Sequence, residues 1–433
     1  MKYLYERMDF GYKLKKDVLK YPIITYLKIT NDCMLNCEFC SQKKGVNNIE
    51  LEFCKNILKQ LKRIGVIDIY YTGGEPLMHP NISEILKYGY ELGFKQNIIT
   101  NALLLDGDRQ LKIMQYINSI GVSLHGTKQM HNNLSHANVY DKVLNNVKLL
   151  KSKYPNIHIT INCTVTDLNL NLDEILSVAT VCKENGYYCN VARLNYIGNG
   201  EKYEPNFNNI NKLLNIVETL RKKEYNIGIS NCIASCVVEP QYEYLIHGCD
   251  AGNSFCAIEA NGDVKVCASA YNAIGNLNKN TFKQIWKKRK NGMVIMPRIC
   301  QNCNNILKCK GGCKAECESK YTFGLTDRLV KNKYEESKKL LINSKVRINF
   351  RYIKRQGKNF ILMSRPIRLV NKETLKLIKI IEEKEEVAKV LSQYSEKEKE
   401  NIIDLLISMY YDNVIVIQKE EIVENEENAN TTR

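Results

Sequence analysis

Between about Tyr21 and Glu224, short β-branched runs alternate with longer amphipathic stretches, and this alternation constrains the fold more than any other feature of the chain. It is typical of βα units, in which helices cover a parallel sheet. The candidate strands are Ile23–Ile29, Ile67–Tyr71, Gln96–Thr100, Gly121–Leu124, Ile157–Val165 and Tyr188–Leu194. The candidate helices include Leu51–Ile64, Ser83–Leu92, Tyr140–Lys151 and Leu172–Asn185. Six units predict an α/β partial TIM-like barrel with its reactive groups at the C-terminal strand ends.

Two further regions follow the predicted barrel. From Asn231 to Tyr321 the regular pattern stops, and the many cysteines and glycines predict a domain with metal as its core. After a basic helical stretch, apolar and polar residues alternate from Val346, Asn371 and Ser395 are candidate N-caps, and Val414–Ile417 is a candidate final strand. This pattern predicts a small α+β module with the element order β,β,α,α,α,β, which is winged-helix-like. The predicted boundaries are 1–20 (extension), 21–228 (barrel), 229–325 (cysteine-rich, metal-binding domain), 326–344 (linker), 345–418 (module) and 419–433 (acidic disordered tail).

Cysteine is the most unusual component of the composition, with 17 residues. Eleven have motif spacings, which in a reducing compartment indicate metal binding or catalysis rather than disulfides. The other six stand among apolar neighbours and are predicted to be small buried residues: Cys54, Cys163, Cys182, Cys189, Cys232 and Cys236. Because no long apolar stretch or signal peptide is present, we expect a cytoplasmic protein without membrane contact.

The formal net charge of +16 raises the question of an acidic partner or nucleic acid. Cysteine thiolates that bind metal would offset part of that charge. The lysines are also spread along the chain among Asn, Ile and Tyr, as compositional bias produces. We therefore interpret the charge as an ordinary solvated basic surface and do not expect nucleic-acid binding.

Two motifs follow the first two predicted strands. Cys33-x3-Cys37-x2-Cys40 presents three thiolates from one loop and leaves one ligand position open, whereas a structural zinc site has four ligands. In Gly73-Gly74-Glu75-Pro76, the two glycines let the backbone approach a ligand closely, and the Glu75 carboxylate can pair with an ammonium group. Together these motifs resemble the radical S-adenosylmethionine (SAM) superfamily, in which an aromatic residue, here Phe39, usually precedes the last cysteine.

The resemblance implies that Cys33, Cys37 and Cys40 hold a 4Fe–4S cluster and that Gly73, Gly74 and Glu75 bind the SAM amino group. Weaker matches make Asn101, Ser123 and Arg193 candidate SAM contacts, with ordinary strand-end polar residues as the alternative. Two positions depart from the family, because Ala102 replaces a glycine and His125 replaces an aspartate. His125 is interpreted as structural or substrate-facing, and no catalytic acid or base is assigned.

The second cysteine group resembles the SPASM domain, which holds two auxiliary 4Fe–4S clusters. The family pattern implies Cys249, Cys256, Cys267 and Cys313 for auxiliary cluster I and Cys300, Cys303, Cys309 and Cys317 for auxiliary cluster II. In the family the last cysteine lies farther along the chain than Cys317, so an incompletely ligated second cluster stays open. A zinc ribbon is the alternative.

The terminal module resembles the PqqD-like fold, a recognition element that binds leader peptides by adding a strand to its sheet. The combined resemblance implies a maturase that cleaves SAM to a 5′-deoxyadenosyl radical and modifies a ribosomally synthesised peptide, with a thioether or carbon–carbon crosslink as the product. It implies a precursor peptide with a leader and a flavodoxin- or ferredoxin-type electron donor as partners. A generic winged helix for dimerisation or nucleic-acid contact is the alternative for the module.

Three other functions are compatible with parts of the sequence. A sulfatase-type maturase shares the core, but that family has Asp directly after the cysteine that matches Cys267, where this chain has Ala268. A small-molecule enzyme, for example one acting on a tetrapyrrole side chain, would not require a leader-binding module. A non-enzymatic zinc-binding regulatory protein would not require the GGEP motif.

Overall fold

We describe a computed structural model of the chain over residues 5–7, 19–42, 45, 47–203, 206–291, 309–317, 328–349, 353–356, 359–362, 368–411 and 414–418. The chain forms two compact units. The first contains the described residues from 19 to 333, and the second contains those from 334 to 418 together with residues 5–7.

The strands, in chain order, are β1 (Tyr5–Arg7), β2 (Ile24–Thr30), β3 (Asp68–Gly73), β4 (Lys95–Thr100), β5 (Ser119–Ser123), β6 (His158–Val165), β7 (Tyr188–Arg193), β8 (Ile227–Ile229), β9 (Phe255–Ile258), β10 (Asp263–Lys265), β11 (Ala273–Asn276), β12 (Val346–Ile348), β13 (Ile353–Gln356), β14 (Asn359–Leu362), β15 (Arg368–Val370) and β16 (Ile415–Ile417). The α-helices are α1 (Leu51–Arg63), α2 (Ile82–Glu91), α3 (Asp108–Lys112), α4 (Lys128–Ser135), α5 (Tyr140–Lys153), α6 (Leu172–Asn185), α7 (Phe207–Lys222), α8 (Phe282–Lys287), α9 (Lys314–Cys317), α10 (Arg328–Ile342), α11 (Lys372–Lys384), α12 (Val387–Leu391) and α13 (Glu396–Tyr411).

The first unit is built on a ten-stranded sheet in the order β11-β10-β9-β2-β3-β4-β5-β6-β7-β8. Strands β2 to β8 are parallel, and β9 joins β2 in the same direction. The six predicted strands correspond to β2 to β7, which alternate with helices as expected. The prediction of only six strands is incomplete, because β8 and β9 extend the parallel sheet at its two ends.

Local sequence explains why these elements form where they do. In α1, Cys54, Ile57, Leu58 and Leu61 are buried at helical spacing, and the Glu50 carboxylate caps the first turn. Burial of one such aliphatic side chain stabilises the fold by roughly 1.5–3 kcal/mol. Strand β6 alternates buried and more accessible positions along its length, the pattern of a strand with one face in the core.

The cysteine-rich region does not depend on metal alone for its core, contrary to the sequence-based expectation. Strands β9, β10 and β11 belong to the main sheet, so the predicted boundary at residue 229 does not separate two compact units. Helix α8 begins with a capping box at Thr281 and buries Phe282 and Trp286 in the same hydrophobic core as the barrel helices. Its apolar side chains therefore stabilise part of this region without any cofactor.

The second unit contains two sheets. One has the order β1-β15-β14-β13, and the other pairs β12 with β16. Helices α11, α12 and α13 pack with the β12–β16 pair around a separate core that includes Leu377, Ile381 and Leu406. Asn371 caps α11 as predicted, with its Oδ1 accepting from Thr374 N at 2.9 Å.

The strand pattern of this unit is richer than the predicted one. The first predicted strand corresponds to β12, β13 is a separate strand, and β15 was not predicted. Strand β1 pairs antiparallel with β15, so part of the predicted N-terminal extension belongs to this sheet. The predicted acidic tail lies outside the described residues. No helix within the described ranges is both long and apolar enough to cross a membrane.

Candidate active site

The loop after β2, which carries the three-cysteine motif, is held against the loop after β3. Gly74 N–H donates to Thr30 O at 2.8 Å, and Glu75 N–H donates to Asp32 O at 2.7 Å. A Cβ atom on Gly73 would lie 2.0 Å from Thr30 O. One on Gly74 would lie 2.1 Å from Asp32 O. These two glycines are required because two protein loops approach each other closely, a reason that the sequence alone did not reveal.

Replacing Gly74 with Ala is expected to lower the free energy of unfolding by about 1–3 kcal/mol, because the new methyl group would overlap the carbonyl of Asp32. Urea denaturation of the cofactor-free protein measures the change. Gly107→Ala is the matched control, since its Cβ would come close only to the flexible end of the Gln110 side chain and would lie at an ordinary contact distance, 3.6 Å, from Leu104 O. An equal loss of stability in both variants would contradict the prediction.

Glu75 is fully buried and joins the loops after β3 and β4. Its carboxylate accepts from Thr100 Oγ1 at 2.7 Å, from Asn101 N at 2.8 Å and from Leu77 N at 3.1 Å. Burial raises the pKa of Glu75 to about 7, although these three hydrogen bonds act in the opposite direction. A cation placed beside this carboxylate would favour its ionised form.

Asn101 links strand β4 to the cysteine loop. Its Nδ2 lies 3.1 Å from Met34 Sδ and 3.9 Å from Cys33 Sγ. The next residue, Ala102, has a φ of 65°, which is the left-handed region that favours glycine. A glycine would adopt this conformation without the steric cost that Ala102 bears. Ser123 ends β5 and lines the same cavity.

The loop after β7 closes the other side of the cysteine loop. Asn199 N–H donates to Cys40 O at 2.9 Å, and its Nδ2 donates to Cys37 O at 3.1 Å. Gly198 has a φ of 58°, and a Cβ there would lie 2.7 Å from Cys40 O. Arg193, at the end of β7, is buried, with its guanidinium 5.9 Å from the centre of the Tyr196 ring.

His125 and His131 form the wall of the cavity next to Phe39. His125 Nδ1 accepts from Thr164 N at 3.2 Å, and His131 Nδ1 accepts from His125 N at 3.3 Å. Burial lowers the pKa of His125 to about 3 and that of His131 to about 4, so both rings are neutral at physiological pH. Each therefore carries its proton on Nε2. The sequence analysis singled out only His125, whereas His131 lies six residues later in helix α4.

These loops enclose a cavity of about 280 Å³. Its lining brings together the residues predicted for the SAM cluster and for SAM: Cys33, Cys37, Cys40, Gly73, Gly74, Glu75, Asn101, Ser123 and Arg193. The buried Nε2 of His131, another residue of the cavity lining, has no hydrogen-bond partner among the described residues. A carboxylate, a guanidinium and an unused donor around three thiols fit a ligand with an amino group, a carboxylate and further acceptors.

The four cysteines that the family pattern implies for auxiliary cluster I do not all lie together in the structure. Cys249 and Cys313 lie with Cys267, whereas Cys256 is fully buried in the core of the main sheet. Cys309 lies in a separate cluster of buried hydrophobic residues, where its Sγ accepts from Ser235 N at 3.3 Å. Cys300 and Cys303 lie outside the described residues, as does the side chain of Cys317.

Single-ion coordination is not found in the part of the chain that the structure describes. No three His, Cys, Asp or Glu side chains there are arranged to hold one metal ion. In a cubane cluster each thiolate binds a different iron, so the sulfurs do not have to meet at one point. The donor sets are sulfur-rich, which also favours iron–sulfur chemistry over oxygen-ligated ions.

Two family models match the chain. Residues 27–182, which contain the three-cysteine loop, Glu75 and Asn101, match the radical SAM superfamily. The chain carries a radical SAM domain. Residues 249–314 match the SPASM iron–sulfur cluster-binding domain. These two matches indicate an enzyme whose cofactors are SAM and 4Fe–4S clusters.

Curated proteins that are similar to this chain have several activities. An S-adenosylmethionine-dependent nucleotide dehydratase of Selenomonas ruminantium is 31% identical over 35% of this chain and 59% of its own length. The chain thus spans less than two thirds of that protein. An AdoMet-dependent heme synthase of Methanosarcina barkeri is 24% identical over 65% of this chain and 91% of its own length. A PqqA peptide cyclase of Xanthomonas campestris is 23% identical over 68% and 82%.

A solved structure shows the same fold. SuiB of Streptococcus suis, in complex with its precursor peptide SuiA, superposes with a TM-score of 0.58 at 20% identity. The match covers 72% of this chain and 76% of SuiB. At this identity the likeness concerns the fold alone.

Proposed function

We propose that this protein is a radical SAM peptide maturase with three 4Fe–4S clusters. The observation that carries the proposal is the cavity in which the three-cysteine loop, Glu75 and Arg193 face the same space. When bound there, SAM and its cluster supply a 5′-deoxyadenosyl radical by reductive cleavage, and a flavodoxin- or ferredoxin-type protein supplies the electron. The residues of the chain bind and orient the cofactor and exclude water.

The cavity residues have complementary roles in this proposal. Ionised Glu75 pairs with the ammonium group of SAM, and the guanidinium of Arg193 pairs with its carboxylate. Asn101, whose side-chain amide lies beside Cys33, and Ser123 provide polar contacts to the same ligand. His125 is bonded to Thr164 and stays neutral, which supports a structural role for it.

The affinity for SAM is expected to rise about fivefold between pH 6 and pH 7, following ionisation of Glu75 with its pKa of about 7. The sign follows because the neutral carboxyl cannot pair with an ammonium group, so binding below pH 7 releases a proton. Above about pH 8 the affinity falls again as the SAM amino group loses its own proton. Calorimetry in buffers of different ionisation enthalpy measures both affinity and proton release.

Glu75→Gln is the control for this pH dependence, because it keeps an acceptor for Asn101 N but cannot ionise. Its affinity for SAM should be lower and nearly constant between pH 6 and pH 7. His125 and His131 remain neutral throughout this window and do not contribute. A wild-type affinity that does not change with pH would contradict the role given to Glu75.

A ribosomally synthesised peptide is the proposed substrate. A PqqA peptide cyclase of Xanthomonas campestris matches 68% of this chain, and SuiB, which was solved with its precursor peptide, matches 72%. In the second unit, β15 already pairs with an added antiparallel strand, β1, over Tyr5–Val370, Glu6–Leu369 and Arg7–Arg368. We propose that a leader peptide binds by strand addition at this edge in place of β1.

A second candidate is an enzyme that modifies a small molecule of the tetrapyrrole class. The heme synthase of Methanosarcina barkeri, which matches over 91% of its length, favours it. Both candidates share the SAM cavity, and they differ in whether the second unit takes part in substrate binding.

The test uses the reconstituted enzyme, SAM, a reductant and peptides encoded by short reading frames beside its gene. A thioether or carbon–carbon crosslink lowers the mass of a peptide by one hydrogen molecule and survives reduction, and tandem mass spectrometry locates it. Turnover of a tetrapyrrole, with every neighbouring peptide left unmodified, would favour the second candidate.

A further inference from the structure

Cys232, which the sequence analysis assigned to the hydrophobic interior, lies among the auxiliary-cluster cysteines. Its thiol hydrogen-bonds those of Cys249 and Cys313. Cys232 and Cys267 both pack against one small buried cluster, which includes Cys249. Four cysteine side chains are therefore gathered in one region of the first unit.

The backbone fixes Cys232 at this position. It forms a parallel bridge with His247, and Ile233 N–H donates to His247 O at 3.3 Å. His247 Nε2 also lies 3.1 Å from Ser230 O. The segment after β8 thus runs beside the residues that immediately precede Cys249.

The segment that carries Cys313 is tied to the same place. Lys314 Nζ donates to Ala251 O at 2.9 Å. Lys310 forms an ion pair with Asp250 at 2.5 Å. These contacts hold the neighbours of Cys313 against the neighbours of Cys249 without involving either thiol.

Cys256 lies on a different face. In β9 it is 0% exposed and packs in the main core, as does Ile258, and Thr25 Oγ1 is 3.6 Å from its sulfur. Alternate residues of a strand point to opposite faces, and Phe255 packs against the cluster that contains Cys249. The side chain of Cys256 therefore points away from that cluster.

We propose that Cys232 is the fourth thiolate ligand of auxiliary cluster I, with Cys249, Cys267 and Cys313, and that Cys256 is a core residue. A 4Fe–4S cluster with four cysteine ligands matches this set. The inference rests on the proposed auxiliary clusters and is independent of the substrate.

The test compares Cys232→Ala with Cys256→Ala in the full-length enzyme, reconstituted anaerobically. Iron and sulfide analysis, Mössbauer spectra and electron paramagnetic resonance provide the readouts, so activity is not required. Cys232→Ala should lose about four of roughly twelve irons, or lose about one and show the spectrum of a 3Fe–4S cluster. Cys256→Ala should keep the wild-type iron content and spectra.

Cys249→Ala separates failure of this inference from failure of the proposed function. If Cys249→Ala loses a cluster and Cys232→Ala keeps it unchanged, Cys232 is not a ligand, although the auxiliary cluster exists. If neither variant loses iron, the auxiliary cluster itself is assigned wrongly and the inference falls with it.

A labelling experiment on the wild-type protein covers the case in which Cys232→Ala does not fold. Alkylation followed by mass spectrometry should leave Cys232 unmodified in the iron-loaded protein and modify it once a chelator has removed the iron. Alkylation of Cys232 in the fully iron-loaded enzyme would overturn the proposal, because a thiolate bound to iron is not available to the reagent.

Discussion

Replacing Cys33, Cys37 and Cys40 together with alanine is expected to abolish reductive cleavage of SAM and to lower the iron content from about twelve to about eight atoms per chain. The reason is that this loop supplies the thiolates at the SAM cavity, whereas the auxiliary cysteines that the structure describes do not line it. The fold should persist, since the motif lies in a loop and the buried core is built by the sheet and its helices. Iron analysis and chromatographic detection of 5′-deoxyadenosine measure the two effects.

The chain offers a matched control with three cysteines in its core. Cys163, Cys182 and Cys189 are buried on β6, α6 and β7, where burial raises the pKa of Cys163 and keeps its thiol protonated. Replacing these three with alanine should lower stability through lost packing but leave the iron content unchanged. 5′-Deoxyadenosine formation at the wild-type rate after loss of the three loop cysteines would refute the proposed role of the loop.

Removing residues 343–433 is expected to raise the apparent KM for a leader-bearing precursor at least about tenfold, equivalent to ~1.4 kcal/mol of binding free energy. Under the proposed function these residues carry the sheet edge that recognises the leader. Cleavage of SAM in the absence of substrate should stay close to the wild-type rate, because the cavity is formed by the first unit. Steady-state kinetics with the full precursor measures the change.

Two controls accompany this truncation. A chain that ends at Gln418 lacks only the acidic tail and should keep the wild-type KM. A precursor without its leader should be processed equally well by the truncated and the complete enzyme. An unchanged KM for the full precursor after truncation would show that the second unit does not recruit substrate.

Hydrophobic periodicity was sufficient to predict the central part of the first unit. Strands β2 to β7 and helices α1, α2, α5 and α6 lie within a few residues of the predicted ranges, because each buries one regular face. The placement of the cysteine and glycine motifs at strand ends also followed from this periodicity. Strands β8 and β9 escaped prediction because each has only three or four residues, which is too short for a clear periodic pattern.

Tertiary contacts explain what the sequence could not predict at the site. The glycines of the GGE motif are required by the backbone of the cysteine loop, a neighbour that no local pattern reveals. Cys256 fits the spacing of a ligand, yet strand alternation turns its side chain into the core. Cys232 has no motif spacing, and its position near Cys249 follows only from the fold, in which the segment after β8 runs beside His247.

Strand β1 has a consequence for how the protein is made. Its partner β15 lies roughly 360 residues later in the chain, so their pairing closes a very long loop. During synthesis β1 precedes the whole barrel, which can acquire its core before β15 exists, because domains generally fold as units on the ribosome. The sheet of the second unit is therefore completed after the barrel has formed, and in every nascent chain that has not reached residue 368, β1 lacks its partner.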